Sequence, residues 1–223
     1  MMRQEGTLSV GGPGEDTSRV PRYQRASLPL ADLVVDFARA IQSVDAAGHR
    51  QAPYRPGFGP LHEKPALKLV MADLAEADPQ RYASHQLEVP YGDGTRQKCD
   101  ICLGGPQPWE WAIEVKMLRL LGDNENRNDN MMGQILSPYP RHGSALTDCT
   151  KLLTSQLGTH KAILIYGYDY PGWPMDPAVE AFETLASQRV KLASRAVASF
   201  DGLIHPVHQR GRVFGWQVEP LNG

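Results

Sequence analysis

The segment Lys161–Tyr168 constrains the fold more than any other part of the chain. Ala-Ile-Leu-Ile-Tyr is an unbroken apolar run, rich in β-branched residues and too short to be a helix of ordinary length. Nothing polar alternates along it, so it reads as a central strand of a sheet. Helical patterns flank it. Asp148–Leu157 reads as a short helix. Asp176–Ser199 reads as a long amphipathic one, with Asp176 as N-cap and Pro177 in the first helical position. A buried strand set between helices predicts an α/β protein with a central mixed β-sheet flanked by α-helices.

The rest of the chain fits that frame. Leu33, Val34, Phe37, Ala38, Ile41 and Val44 recur at helical spacing over Leu30–Ala47, with Asp32 or Ser27 as possible caps and Gly48 as the stop. Residues 49–60 are a Pro/Gly-rich loop. A second helix carries Leu67, Val70, Met71 and Leu74 on one face, has Pro65 in its first turn and stops before Pro79. Three strands follow at His85–Pro90, Arg96–Leu103 and Trp109–Leu118, with turn signals at Tyr91–Gly94 and Gly104–Pro108. Residues 122–143 are polar and too long for an ordinary connection, a pattern of functional or mobile loops. Leu203–Val207 and Arg212–Val218 read as closing strands. Residues 1–26, rich in Gly, Ser, Arg and Glu, read as a flexible tail, and 27–223 as one domain.

Composition removes several function classes. With 23 Lys+Arg against 25 Asp+Glu the formal charge is −2, which disfavours a wholly basic nucleic-acid-coating protein and confines any positive surface to a patch. No apolar run approaches the roughly 20 residues that span a bilayer. No apolar stretch follows the early Arg3, so no secretory signal is expected, and the expected compartment is the cytoplasm. Three cysteines suit a reducing compartment. Cys99 and Cys102 form a lone C-x-x-C without a second pair, and they read as structural thiols rather than a zinc or redox site.

The chemistry concentrates on two neighbouring strands. Residues two apart on a strand share a face, so Glu114 and Lys116 project together while Trp111, Ile113 and Val115 point the other way. A hairpin centred near Pro106 pairs residue 100 with 112 and residue 98 with 114. It sets Lys98, Asp100, Glu114 and Lys116 on one face, with Asp100 diagonal to Glu114 at roughly 7–8 Å. Two carboxylates so close repel unless a cation lies between them. A hard divalent ion such as Mg2+, with Mn2+ as substitute, takes oxygen ligands of this kind, and the Val115 carbonyl is a further candidate ligand. Lys116 then has two possible roles, acting on a metal-bound water or neutralising charge on a phosphate.

Asp100, thirteen intervening residues and then Glu114-Val115-Lys116 on successive strands resemble the PD-(D/E)xK, or restriction-endonuclease-like, nuclease superfamily. Cys99 stands where the family name has proline. The resemblance implies a core of helix, three-stranded meander, helix and strand, which residues 61–168 match in order. It implies Asp100 and Glu114 as metal-holding acids and Lys116 as the catalytic lysine. Glu63 is the candidate upstream acid, and Lys151 and Gln156 are candidate polar residues on the following helix. It also implies a Mg2+-dependent endonuclease acting on DNA, a homodimer where both strands are cut, and a restriction or anti-phage defence role. Repair, recombination or transposition, action on RNA, and a non-catalytic nucleic-acid-binding module remain open alternatives.

Other residues carry weaker signals. Arg119, Arg127 and Arg141, in or beside the long polar loop, and Lys98 are candidates for phosphate contacts, as is the basic stretch Arg189–Arg212. His205 and His208 flank Pro206 with no carboxylate or cysteine at ligand spacing, and they read as ordinary surface or core histidines. Trp109 and Trp111 read as sheet packing.

Overall fold

A computed structural model describes residues 27–49, 55–92 and 96–221. The expected tail, part of the Pro/Gly-rich loop and the tip of the first hairpin turn lie outside these. In chain order the elements are α1 (Leu30–Ala46), α2 (Glu63–Ala77), α3 (Pro79–Tyr82), β1 (His85–Pro90), β2 (Lys98–Leu103), β3 (Trp109–Leu118), α4 (Met131–Leu136), α5 (Ala145–Thr154), β4 (Gly158–Tyr168), α6 (Asp176–Ala186), β5 (Lys191–Leu192), β6 (Ala196–Phe200) and β7 (Gly211–Glu219). The seven strands form one mixed sheet in the order β1-β2-β3-β4-β7-β5, with β6 also on β7. The β3–β4 pair is parallel and the other pairs are antiparallel. The α/β architecture expected from the sequence is therefore present. Among the described residues, no helix is long and apolar enough to cross a membrane.

The apolar strand β4 lies between β3 and β7, and Ala162 through Tyr166 are all buried. Its two faces meet different layers. Tyr166 packs on Phe37 of α1 and on Phe58, and Leu164 lies beside Gly215 and Val34 on that same side. Ile163 pairs with Trp216, which packs at a tilt against Phe182 of α6. Glu114 and Lys116 stand in register with Ile163 and Ile165, so they share the face covered by α5 and α6. The backbones come very close at Gly167, where a Cβ would lie 2.0 Å from the Leu118 carbonyl oxygen, so only glycine fits.

Several boundaries differ from those the sequence implies. The long helix over 176–199 stops at Ala186, and the chain then turns back to pair β5 and β6 with the free edge of β7. Leu203–Val207 is not a strand; the closing strand that pairs β7 is β6, at 196–200. Neither Asp32 nor Ser27 caps α1, whose N-cap is Pro29. The polar stretch 122–143 contains α4 and a single 3-10 turn at Pro140–His142. The β2–β3 register is Ile101–Ile113, Cys102–Ala112, Leu103–Trp111, so the hairpin centres on Gln107 rather than Pro106. Continued by one residue, this register sets Asp100 directly opposite Glu114 instead of diagonal to it. The shift is two places, so the shared face is kept. Trp109, Trp111 and the three cysteines are buried, as expected of packing residues.

Candidate active site

The site grows from a divergence of two strands. β2 and β3 pair from the turn out to Ile101–Ile113 and then part, while β3 stays paired to β4 as far as Leu118. Alternate residues of a strand direct their N–H groups to the same edge. Val115 and Met117 therefore turn two N–H donors into the gap, where an unpaired buried donor is costly. Two carboxylates satisfy them. Asp100 Oδ2 accepts from Val115 N–H at 2.8 Å, and Glu63 Oε2, from the first turn of α2, accepts from Met117 N–H at 2.9 Å. The Val115 carbonyl opens onto the same edge.

The side chains of β3 meet α5 above that edge. Glu114, 1% exposed, accepts through Oε1 from the Tyr91 hydroxyl at 2.5 Å and contacts Lys151 Nζ at 2.7 Å. Lys151 also reaches Asp148 Oδ1 at 2.7 Å, one helical turn earlier. Lys116 Nζ lies 2.8 Å from Asp148 Oδ2 and 4.0 Å from Asp100 Oδ2. The Asp148 contact is an ion pair without an aligned hydrogen bond on Oδ2.

Burial and crowding shift the protons. Glu63 is pushed up to about 7, chiefly by desolvation, with the Lys116 charge opposing the shift and Asp100 adding to it. Glu114 is held well above the usual carboxylate range by burial, then by the charges of the nearby Asp100 and Asp148. Burial disfavours the charge on Lys116, but Asp148 and then Asp100 outweigh it and keep the ammonium protonated. Lys151 follows the same logic, with Glu114 and Asp148 as partners.

No protein-family model, curated protein or solved structure matches this chain. The site is accordingly described by its own chemistry. Glu63, Asp100, Glu114 and Asp148 are four carboxyls facing two ammoniums, Lys116 and Lys151. Fully ionised, they carry two uncompensated negative charges, the complement of one divalent cation. Without a cation, the raised affinities of Glu63 and Glu114 for protons offset those two charges. A hard divalent ion would balance that charge, and Asp100, Glu114 and the Val115 carbonyl are the groups that would hold it, with Glu63 at the same edge.

The remaining candidates separate. Lys151 joins the cluster. Lys98 is exposed at the start of β2, outside it. Arg119 turns away, donating to the Gly59 carbonyl at 2.8 Å. Arg127 lies over the Trp173 ring at 4.1 Å. Gln156, exposed beyond the end of α5, lines a different cavity, with Trp109 and Tyr91. Arg141 does face the site: with Arg189, Gln97, Thr150 and Lys151 it lines a groove of 530 Å³ whose wall includes Asp148. Of the basic stretch 189–212, Lys191, Arg195 and Arg212 are committed to Glu219, Glu183 and the Asp169–Asp176 pair, and Arg189 alone lines this groove. Asp148 and Tyr91 are the functional residues the sequence did not single out. The spacing of Asp148 to Lys151 signals a helix-surface pair, but nothing in it tells that both reach across to β3.

Proposed function

We propose that this protein is a Mg2+-dependent phosphodiesterase that hydrolyses DNA, built on a restriction-endonuclease-like core. The carrying observation is the convergence of Asp100, Glu114, Glu63 and Lys116 at the bare edge of β3, more titratable groups than its two open N–H donors call for. The order α2, β1–β2–β3, α5, β4 is the one that core requires, with α3 and α4 as additions. A bound divalent ion would supply charge neutralisation at the scissile phosphate and a more acidic water.

The chain's own residues do the rest. Asp100 and Glu114 would hold the cation, and their hydrogen bonds from Val115 N–H and the Tyr91 hydroxyl fix their rotamers. Lys116, kept protonated by Asp148, suits stabilisation of charge developing on the phosphoryl oxygens better than proton abstraction. Lys151, which contacts Glu114 here, would be available to a phosphate where a cation takes its place on that carboxylate. The groove with Arg141 and Arg189 gives the backbone a basic track beside the site. Cutting both strands needs two such sites, which a twofold dimer supplies. A defence role for the enzyme rests on the resemblance noted in the sequence.

The test is plasmid cleavage by the wild type and by Lys116→Ala and Asp100→Asn, with Mg2+, with Mn2+ and with EDTA. Nicking or linearisation by the wild type alone, abolished by EDTA, is the expected result. Equal cleavage in every lane assigns the activity to a contaminant, and no cleavage of DNA or RNA by the wild type overturns the reading.

A further inference from the structure

A second polar cluster lies on the other side of Arg119, away from the acids of β3. His205 and His208 belong to the loop between β6 and β7, and Asp123 to the turn that follows β3. Both histidines are buried, at 1% and 0% exposure. They are core histidines, but a carboxylate lies beside them after all, contributed by a residue more than eighty positions away. One ligand atom from each of Asp123, His205 and His208 lies within 4.8 Å of the other two.

The hydrogen bonding of this cluster is incomplete in one specific place. His205 Nε2 is buried and has no partner, although a buried ring nitrogen ordinarily has one. His205 Nδ1 accepts a long bond from Val207 N–H at 3.3 Å, which leaves the proton on the unpartnered Nε2. His208 is already arranged as a ligand. Its Nδ1 is 2.8 Å from the Tyr170 hydroxyl, which in turn donates to the Leu121 carbonyl at 3.4 Å, and its Nε2 is 2.9 Å from Asp123 Oδ1. The Asp123 carboxylate can only accept, so Nε2 carries the ring proton here; an ion on Nε2 would move that proton to Nδ1, where the Tyr170 hydroxyl accepts it, the tautomer that outer partners impose on metal-bound histidine.

The surroundings hold the three groups in place. A bridge between Leu121 and Arg127 closes the Asp123 turn. Asp45, 2% exposed, ties both neighbouring segments together by accepting from Phe58 N–H and Ile204 N–H, each at 2.6 Å. Gly59 packs against His208 so closely that a Cβ there would lie 2.6 Å from the His208 Cβ. Arg55 and Arg119 are the cations that act on His205, and Arg119 is the one in contact distance of Asp123. It donates to Gly59 and stays 3.6 Å from Asp123 Oδ1, beyond hydrogen-bond distance, and Asp45 adds negative charge on the same side.

We propose that Asp123, His205 and His208 form a second metal site, selective for zinc or a similar borderline ion, that clips the turn after β3 to the β6–β7 loop. Two imidazoles and one carboxylate with a fourth position for water is a donor set that suits zinc and is poor for Mg2+. On binding, the ion takes the Nε2 position of each ring, and each ring keeps its proton by shifting it to Nδ1, toward the Tyr170 hydroxyl for His208 and at the cost of the long Val207 contact for His205. This site is independent of the acids on β3.

The test uses the full chain, stripped with chelator, dialysed and titrated with Zn2+ by calorimetry, and with Co2+ by visible absorption. One zinc per chain is expected, with a raised thermal midpoint and a cobalt spectrum of low coordination number. The Asp100→Asn/Glu114→Gln variant, which lacks the proposed Mg2+ site, should bind zinc unchanged. Asp123→Asn and His208→Gln should weaken it by more than about 100-fold, exceeding the 10–100-fold typical of an outer partner. Asp123 lies on a half-exposed turn, so Asp123→Asn decides the matter even where a histidine variant fails to fold. Absence of stoichiometric zinc in the wild type, or full binding by Asp123→Asn, overturns the proposal.

Discussion

Replacing Asp148 by Asn tests the electrostatic design of the candidate active site most directly. Lys116 Nζ is 2.8 Å from Asp148 Oδ2 and 4.0 Å from Asp100 Oδ2. At an effective dielectric of about 20 these separations correspond to roughly 6 and 4 kcal/mol of attraction, so Asp148 supplies the larger share. Burial of the ammonium opposes this sum, and breaking a buried pair by removing one partner costs about 3–5 kcal/mol. Asn keeps the volume and an acceptor oxygen, which places the expected loss at the low end, near ~3 kcal/mol. The assay is urea unfolding at neutral pH in EDTA, with an unchanged m-value and a lowered midpoint. Adding Lys116→Met should return much of the loss, because the ammonium then no longer needs a partner. A loss below about 1 kcal/mol, with no coupling to Lys116, would refute the reasoning, since it would mean that the pair is solvent-screened.

Four further outcomes follow from named contacts. Glu63 binds its proton more tightly folded, at about 7, than unfolded, at 4.5. Its contribution to metal-free stability is therefore full below 4.5 and is lost as pH rises through 7, by roughly 3 kcal/mol. Thermal midpoints in EDTA should fall over that window, and Glu63→Gln should remove that part of the fall. Tyr91→Phe deletes a donor to Glu114 and should weaken Mg2+ binding by about 10-fold or more, read by calorimetry. Gly167→Ala drives a Cβ into the Leu118 carbonyl and should cost more than about 4 kcal/mol or abolish folding, judged by circular dichroism of the soluble fraction. Arg212 forks onto Asp169 and Asp176 with four hydrogen bonds, so Arg212→Lys should lower stability by about 1–3 kcal/mol in urea unfolding.

The sequence made the site's centre legible and its periphery illegible, for definable reasons. Alternation on two adjacent strands placed Asp100, Glu114 and Lys116 on one face, and a register error of two places could not change that. Glu63 and Lys151 lie at helix positions whose facing is set by local periodicity. Asp148 and Tyr91 act across elements, and local spacing holds no information on such contacts. The helix over 176–199 failed for a related reason. No Gly or Pro interrupts residues 178–199, so local preference favours continuation, yet the free edge of β7 captured 191–192 and 196–200 as strands. The Asp123–His205–His208 cluster was invisible because its carboxylate comes from another loop.

The division of labour between sheet and helix bears on how such a protein can change over generations. On β4, the neighbours in register with Glu114 and Lys116 are Ile163 and Ile165, which offer no charge. The counter-charges come instead from α5, through Asp148 and Lys151. A change in α5 can therefore alter the protonation and reach of the β3 side chains while the strand order and the buried interior stay intact. The helix is the adjustable part of an otherwise fixed frame, and the charge balance of the β3 side chains can drift there without a detour through unfolded sequences.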